Sequence, residues 1–198
     1  MLQLQGNQIV LRDWIIEDLP IYKYWQTKDL EWKNWDGPYY PLTSLENLEK
    51  ELKDRRRKIL QQSFPQPRKR LVIAAKNTNQ LLGTVSWYWQ SQETNWLSNG
   101  IVLFDTQNRS KGMGFEALGL WNQYLFDHFP NIVRLDLRTW SGNIGMMRLA
   151  EKLGYTLEAR FRQARIIKGE YFDSIGYGIL RTEWNELYAN GFEVKSLE

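Results

Sequence analysis

The run Asn108-Arg109-Ser110-Lys111-Gly112-Met113-Gly114-Phe115-Glu116-Ala117 puts cations and glycines where a strand gives way to a helix. Ile101-Val102-Leu103-Phe104 just before it reads as a buried strand, and apolar residues recur with helical period over 115–126 just after it. A basic, glycine-containing loop that opens a helix builds an anion site. Free backbone N–H groups, the positive end of the helix dipole and the side chains of Arg109 and Lys111 converge there. Gly112 and Gly114 carry no Cβ, so the backbone can approach a diphosphate closely. The chemistry implied is recognition of a phosphorylated cofactor by 109–114, with Ser110 and Met113 contributing their backbone.

Two other phosphate loops compete for these residues. Gly112-x-Gly114-x-x-Ala117 fits the dinucleotide fingerprint, and Asp136 follows at the end of an apolar strand. Against that, polar residues 105–111 separate the strand from the first glycine. The loop is also cationic, whereas a dinucleotide turn needs only backbone N–H groups, and it lies in mid-chain after a large α+β segment. No Lys-Ser/Thr pair follows the glycines, which excludes a Walker loop. An ordinary surface loop is the bland alternative.

The elements that must position this loop follow from periodicity and turn chemistry. Residues 8–12 read as a first strand and 16–26 as a helix. Residues 34–41 form a turn-rich aromatic loop, and Ser44 caps a second helix that reaches about residue 62. Residues 71–75 and 81–89 make a hairpin through 77–80, and 96–104 is the next strand. After the loop's helix come a strand at 133–139 and a helix opened by Asn143 and closed by Gly154. Long strands at 156–167 and 171–180 flank a turn at 168–170, and a last helix covers 182–188. The order predicts one α/β domain over 1–188, with a mixed, largely antiparallel sheet flanked by helices, and a loose tail over 189–198.

Composition narrows the chemistry. At 198 residues the chain can bury one sizeable core. It holds no Cys, which excludes disulfides, thiolate metal sites and a cysteine nucleophile. The single His128 reads as a helix-terminal residue, so neither a His-rich metal site nor a Ser-His-Asp triad is expected. No apolar run is long enough to span a membrane and no signal pattern opens the chain, so a cytoplasmic protein is expected. The clusters 55–58 and 68–70 are basic, but Glu46, Glu49, Glu51 and Asp54 precede the first and balance it along the helix.

The R-x-x-G-x-G spacing resembles the pyrophosphate loop of the GNAT acetyltransferases, in particular the ribosomal-protein N-terminal acetyltransferase (RimJ/RimL-like) branch. The resemblance covers roughly residues 7–187. Ser98-Asn99-Gly100-Ile101-Val102-Leu103 is similar to the family strand beside the bound pantetheine, whose amides pair with the strand edge. In the family that strand and its parallel neighbour splay apart and admit the thioester. Ile101, Val102 and Leu103 would then line the cofactor, with N–H groups near Val102 and Leu103 polarising the acetyl carbonyl. Trp140-Ser141-Gly142-Asn143, with Arg148 and Glu151-Lys152-Leu153-Gly154-Tyr155, resembles a second family signature that assigns Asn143 and Arg148 to the cofactor. Met146 stands where the familiar version has Ser. Gly169-Glu170-Tyr171-Phe172-Asp173 and Leu180-Arg181-Thr182-Glu183-Trp184 resemble the branch's closing hairpin and helix, and Arg12 with Asp18 its opening segment.

The resemblance implies direct transfer: a neutral amine attacks the thioester and CoA thiolate leaves, with no metal and no covalent enzyme intermediate. Ordering both reactants supplies much of the acceleration. A proton acceptor and a donor to the sulfur remain to be found. The family often has Glu ahead of Gly100, but here the stretch is Trp96-Leu97-Ser98-Asn99. Glu93, Asp105, or a water chain from Ser98 or Asn99 are the alternatives for the base. Tyr155, then Tyr171, are the candidates for the acid. Trp32, Trp35, Tyr39 and Tyr40 suggest an aromatic wall for the acceptor.

The expected function is therefore acetyl-CoA-dependent N-acetylation of a primary amine on a protein N-terminus or a small molecule. The rivals are a non-catalytic acyl-CoA-binding module and an RNA- or ribosome-associated basic protein. Besides the amine acceptor, a second copy of the chain and the ribosome are candidate partners, and no membrane or DNA partner is expected.

Overall fold

Apolar residues give the central strands faces to bury, and the chain lays eight strands side by side in one sheet. The structure is a computed structural model and describes residues 1–193. In spatial order the strands are β1 (Gln3–Gln5), β2 (Ile9–Arg12), β3 (Arg70–Ala75), β4 (Leu81–Ser91), β5 (Trp96–Leu103), β6 (Arg134–Trp140), β8 (Glu170–Leu180) and β7 (Thr156–Ile167). Neighbours are antiparallel throughout except β5 and β6, which run parallel.

Two helical layers cover the sheet. On one face α1 (Asp18–Thr27) and α2 (Leu45–Leu60) bury Leu19, Tyr22, Leu48 and Leu52 against Val72, Ala74 and Phe104. On the other, α3 (Met113–His128) and α4 (Ile144–Lys152) bury Leu118, Trp121, Leu125 and Ala150 against Leu71, Ile73, Val85 and Leu97. Residues 71 and 73 face one layer and 72 and 74 the other, as the strand period of two requires. α5 (Arg181–Leu187) follows β8 and buries Trp184.

The mixed α/β architecture is the expected one. Ser44 accepts from Asn47 N at 3.2 Å and starts α2, and Gly154 closes α4 at φ +91°, a backbone angle that favours glycine. Three features depart from the sequence-based expectation. β1 is an extra edge strand, held because Asp13 accepts from Leu2 N at 2.8 Å. Short 3-10 turns occupy Glu31–Asn34 and Thr106–Asn108. The tail expected from 189 is docked as far as Phe192, which is buried against Trp184 and Phe115 and donates its N–H to Gln123 Oε1 at 3.0 Å. The rest of that expected tail, 194–198, lies outside the described residues.

Buried ion pairs fix the first helix to the sheet. Arg12 meets Asp18 through two hydrogen bonds, at 2.7 and 2.9 Å, and also donates to Asn79 and to the Asp13 carbonyl. Arg68 meets Asp13 at 2.6 Å. Arg12 and Asp18, which resemble the family's opening segment, thus form a structural pair. Along α2, Arg55 pairs with Glu51 and both Arg57 and Lys58 pair with Asp54, so two carboxylates offset part of the basic cluster.

Candidate active site

β5 and β6 pair only at Leu97 with Leu135, Ser98 with Asp136 and Asn99 with Leu137. Beyond Asn99, β5 stays with β4 as far as Leu103 opposite Gly83, and β6 stays with β8 as far as Trp140 opposite Ser174. The inner edges therefore part, leaving a cleft whose walls each keep an outer partner. Gly83 gives a physical reason: a Cβ there would overlap the Val102 carbonyl, so glycine lets β5 lean onto β4 and away from β6. Backbone groups of 100–103 on the cleft side have no strand beside them. This is the wedge expected from the sequence, lined by Ile101, Val102 and Leu103.

The glycine loop stands at the end of the β5 wall. Gly112 is the N-cap of α3 at φ +87°, and no side chain caps that helix, so the first-turn N–H groups stay open to a ligand. Ser110 is also left-handed, at φ 59°, a conformation costly for a residue with a Cβ and concentrated at ligand clamps. Alternating backbone handedness turns successive N–H groups toward one point, as an anion site needs. The loop is braced from β2: Gln8 Nε2 donates to the Lys111 carbonyl at 3.0 Å and to Glu116 Oε1 at 3.1 Å, and Gln8 N donates to Glu116 Oε2 at 2.9 Å. Glu116 is buried, and its carboxylate also favours a helix N-terminus. Sequence reasoning missed Gln8 and Glu116 as supports because they are remote in the chain. Met113 and Gly114 open the helix, and a Cβ at 114 would just touch Leu149 of α4, so helix and loop pack closely there. Lys111 is exposed. The residues present thus fit a diphosphate carrier such as CoA: an open helix N-terminus, cations beside it, and an unpaired strand edge leading away.

Segment 31–40 crosses the mouth of the cleft. On the β5 side, Thr106 Oγ1 donates to Glu31 Oε2 at 3.1 Å, and the Arg109 guanidinium stands 5.4 Å from the centre of the Trp35 ring. Arg109 also reaches the Leu103 carbonyl at 3.4 Å. On the β6 side, the Trp35 carbonyl accepts from Trp140 Nε1 at 3.1 Å and from Asn143 Nδ2 at 3.0 Å. Asn143 Oδ1 meanwhile caps α4 by accepting from Met146 N at 3.2 Å. Gly142 is needed for this corner, since a Cβ would overlap the Trp140 ring. Arg148 lies exposed on α4.

The other expected site residues are dispersed. Trp32 turns inward, packs edge-on against Phe104 and donates its ring N–H to the Trp25 carbonyl at 2.7 Å, so it belongs to the core rather than to an acceptor wall. Trp35 and Tyr40 are exposed at 40% and 61%, and the Arg165 guanidinium lies 4.5 Å from the centre of the Tyr39 ring. Tyr155 is buried, with its hydroxyl between Asn122 Oδ1 at 3.1 Å and Asn99 Nδ2 at 3.3 Å. Burial pushes its phenol well above the usual range, and its hydroxyl is held in the side-chain cluster of Asn99 and Asn122. Tyr171 is 63% exposed beside the turn of the β7–β8 hairpin, next to Phe172, whose ring packs edge-on against Trp140 of the β6 wall.

The expected bases are also engaged elsewhere. Asn99 belongs to the Asn122–Tyr155 cluster, and Ser98 Oγ is buried and accepts from Gln90 Nε2 at 3.0 Å. Glu93 sits in the β4–β5 turn, four residues or more before the strands part, roughly 13 Å or more along the strand. A hydrogen bond from its own backbone N–H and one from Ser91 lower its pKa. Asp105 caps the turn Thr106–Asn108, accepting from Gln107 N at 2.8 Å and Asn108 Nδ2 at 3.2 Å. Among the described residues no cluster of His, Cys, Asp and Glu could hold a metal ion, and no helix is long and apolar enough to cross a membrane.

Comparison with known proteins agrees with this geometry. A family model, the acetyltransferase (GNAT) domain, matches residues 8–156. The SPbeta prophage-derived uncharacterized N-acetyltransferase YokL of Bacillus subtilis is 25% identical over 112 residues, 57% of this chain and 62% of the relative, so the match spans less than two thirds of that protein. Among solved structures, a GNAT acetyltransferase from Bacillus anthracis superimposes with a TM-score of 0.69 at 16% identity, covering 90% of this chain and 98% of the other. Spermidine N-acetyltransferase from Vibrio cholerae, in complex with CoA and spermine, gives 0.70 at 17% identity over 90% and 99% of the two chains. Ribosomal-protein-S5-alanine acetyltransferase from Vibrio fischeri gives 0.70 at 17% over 93% and 99%. The wedge between β5 and β6, the open helix start beside it and the matching family model lead to one assignment: the chain belongs to the GNAT acetyltransferase family.

Proposed function

We propose that the protein transfers an acetyl group from acetyl-CoA to a primary amine by direct attack in a ternary complex. The observation that carries this is the parting of β5 and β6 beside the glycine-bearing N-terminus of α3. Bound acetyl-CoA supplies an acyl carbon activated as a thioester. The chain supplies the rest. N–H groups of 110–114 with Arg109 and Lys111 hold the diphosphate. The free edge of 101–103 pairs with the pantetheine amides, and N–H groups near Val102 and Leu103 draw charge onto the carbonyl oxygen. The walls align the amine and exclude water. In this proposal Asn143, the N-cap of α4, and Arg148 on that helix contact the cofactor.

The acceptor in this proposal is a protein N-terminus or a small-molecule amine, met by the exposed aromatic residues of 31–40. The names of two structural relatives point to a polyamine and to a ribosomal protein's alanine, and the Leu180-Arg181-Thr182-Glu183-Trp184 segment favours the RimJ/RimL-like branch. This reading places the protein in the cytoplasm. The test is release of free thiol from acetyl-CoA with a panel of polyamines and of peptides beginning in Ala or Ser. Amine-dependent thiol release is expected. Tight acetyl-CoA binding with no thiol released by any amine would favour a non-catalytic acyl-CoA module, for which the missing carboxylate on β5 already gives a motive.

A further inference from the structure

Segment 30–42 meets the turn of the β7–β8 hairpin around a cavity of about 290 Å³. Leu30, Pro38, Tyr40 and Leu42 form one wall, and Ile166 and Ile167 the other. Three of these apolar side chains, Tyr40, Leu42 and Ile166, are more than half exposed. Water-facing apolar groups gathered about one hollow mark a surface that a ligand would cover. The walls are held together. The Arg165 guanidinium of the hairpin stands 4.5 Å from the centre of the Tyr39 ring, and Trp32 anchors the segment by donating to the Trp25 carbonyl.

The charge of this cavity has one sign. Lys33 lines it from the segment and Lys168 from the hairpin, and among the described residues no acid does. The lysines that form ion pairs among the described residues are Lys23, Lys50 and Lys58, so no carboxylate neutralises these two by contact. Of the acids on the segment, Glu31 accepts from Thr106 Oγ1 at 3.1 Å on the β5 side. Asp36, whose charge reaches Lys33, does not line the cavity. Both walls continue to the mouth of the cofactor cleft. Pro38 is three residues from Trp35, whose carbonyl Trp140 and Asn143 hold, so at most about 11 Å of chain separates them. On the hairpin, Ile167 pairs with Glu170, and two residues further Phe172 packs edge-on against Trp140 with ring centres 4.8 Å apart. A molecule lying in the cavity thus has its other end within a short chain's reach of that mouth.

We infer that this cavity takes the non-reacting end of the acceptor, and that this end is an apolar chain bearing an acid group. The inference rests on the acetyl transfer proposed above and names the acceptor's class. The chain covers Tyr40, Leu42 and Ile166, and the acid meets Lys33 and Lys168. A polyamine would instead bring a second ammonium up to two lysines that no acid of the lining offsets, so the same charges that favour one acceptor reject the other. The two lysines come from elements more than a hundred residues apart, so the preference depends on the segment and the hairpin staying together.

The experiment measures kcat/KM for thiol release at saturating acetyl-CoA with three amines that share an eight-carbon chain and differ at the far end: 8-aminooctanoate, octylamine and 1,8-diaminooctane. The wild type should use 8-aminooctanoate best and the diamine worst, with about tenfold between them, carried by KM. The double variant Lys33→Glu, Lys168→Glu should reverse the order of the acid and the diamine while binding acetyl-CoA as the wild type does in calorimetry. Lys168→Glu alone, at an exposed turn, should shift the ratio part of the way. Equal use of the three amines, or a preference for the diamine, by the wild type overturns the inference. So does a wild-type order retained in the double variant with acetyl-CoA affinity intact. Thiol release with the polyamines or peptides named above but with none of these three overturns the inference and leaves acetyl transfer standing. No release with any amine overturns acetyl transfer itself, and the inference with it.

Discussion

The side-chain amide of Asn143 donates to the backbone carbonyl of Trp35 at 3.0 Å while its oxygen caps α4. The residue that family resemblance assigns to the cofactor is thus held by the segment that roofs the cleft. Arg109, assigned to the diphosphate, lies against the Trp35 ring in the same way. Cofactor and segment 31–40 draw on the same groups, so binding one should loosen the other.

Asn143→Asp separates these roles. Asp is an equally good N-cap, so α4 should keep its stability to within about 0.5 kcal/mol. The donor to Trp35 is lost and a carboxylate faces a carbonyl. Amides of 35–40 should exchange hydrogen faster, and acetyl-CoA affinity should fall about tenfold, or ~1.4 kcal/mol. Unchanged exchange would detach Asn143 from the roof, and unchanged affinity would leave it a cap alone.

Gly112→Val tests the phosphate loop. Gly112 has φ +87°, which a β-branched residue adopts poorly, and a Cβ would meet Gln8 Nε2 at 3.3 Å. The added side chain would also stand where phosphate must lie. Calorimetry on the folded variant should show affinity for acetyl-CoA reduced by at least about tenfold. Wild-type affinity would sink the assignment of 109–114.

Asp18→Ala should destabilise the fold without touching the cleft. Arg12 and Asp18 are both nearly fully buried, and removing one partner leaves an uncompensated charge. The expected loss is about 3–5 kcal/mol in denaturant unfolding. A loss under about 1 kcal/mol would mean that water reaches the pair.

Tyr155→Phe should leave the rate of acetyl transfer nearly unchanged, since its hydroxyl is enclosed by Asn99 and Asn122. Stability should fall by about 1–2 kcal/mol as those amides lose a partner. Burial raises the phenol's pKa above its ordinary 10.0, so the folded protein keeps the proton after the unfolded chain has lost it. The stability tied to this group is therefore complete below pH 10 and is lost as pH rises toward the higher folded value. Denaturation at alkaline pH should be shallower in the variant than in the wild type. A large fall in kcat at neutral pH would restore Tyr155 as the acid.

The cofactor site proposed for this protein was legible in local sequence. Gly112 and Gly114, the cations around them, the strand before and the helix after are neighbours in the chain, so dihedral preference, helix polarity and apolar period define the site without long-range contacts. The same holds for Asn143 as a cap and Gly154 as a helix stop. The acceptor half was decided by tertiary structure. Tyr155 and Trp32 read as candidates because residue type carries no sign of which way a side chain faces, and packing turned both into the core. Gln8 braces a loop more than a hundred residues away, at 3.0 Å from the Lys111 carbonyl. Segment 31–40 is a turn-rich stretch with no period to place it, and only the Trp35 carbonyl's bonds to Trp140 and Asn143 bring it across the cleft mouth. Sequence fixes what neighbours in the chain can build. A site assembled across a splayed sheet depends on strand pairing and on one segment's anchorage, which no local pattern encodes.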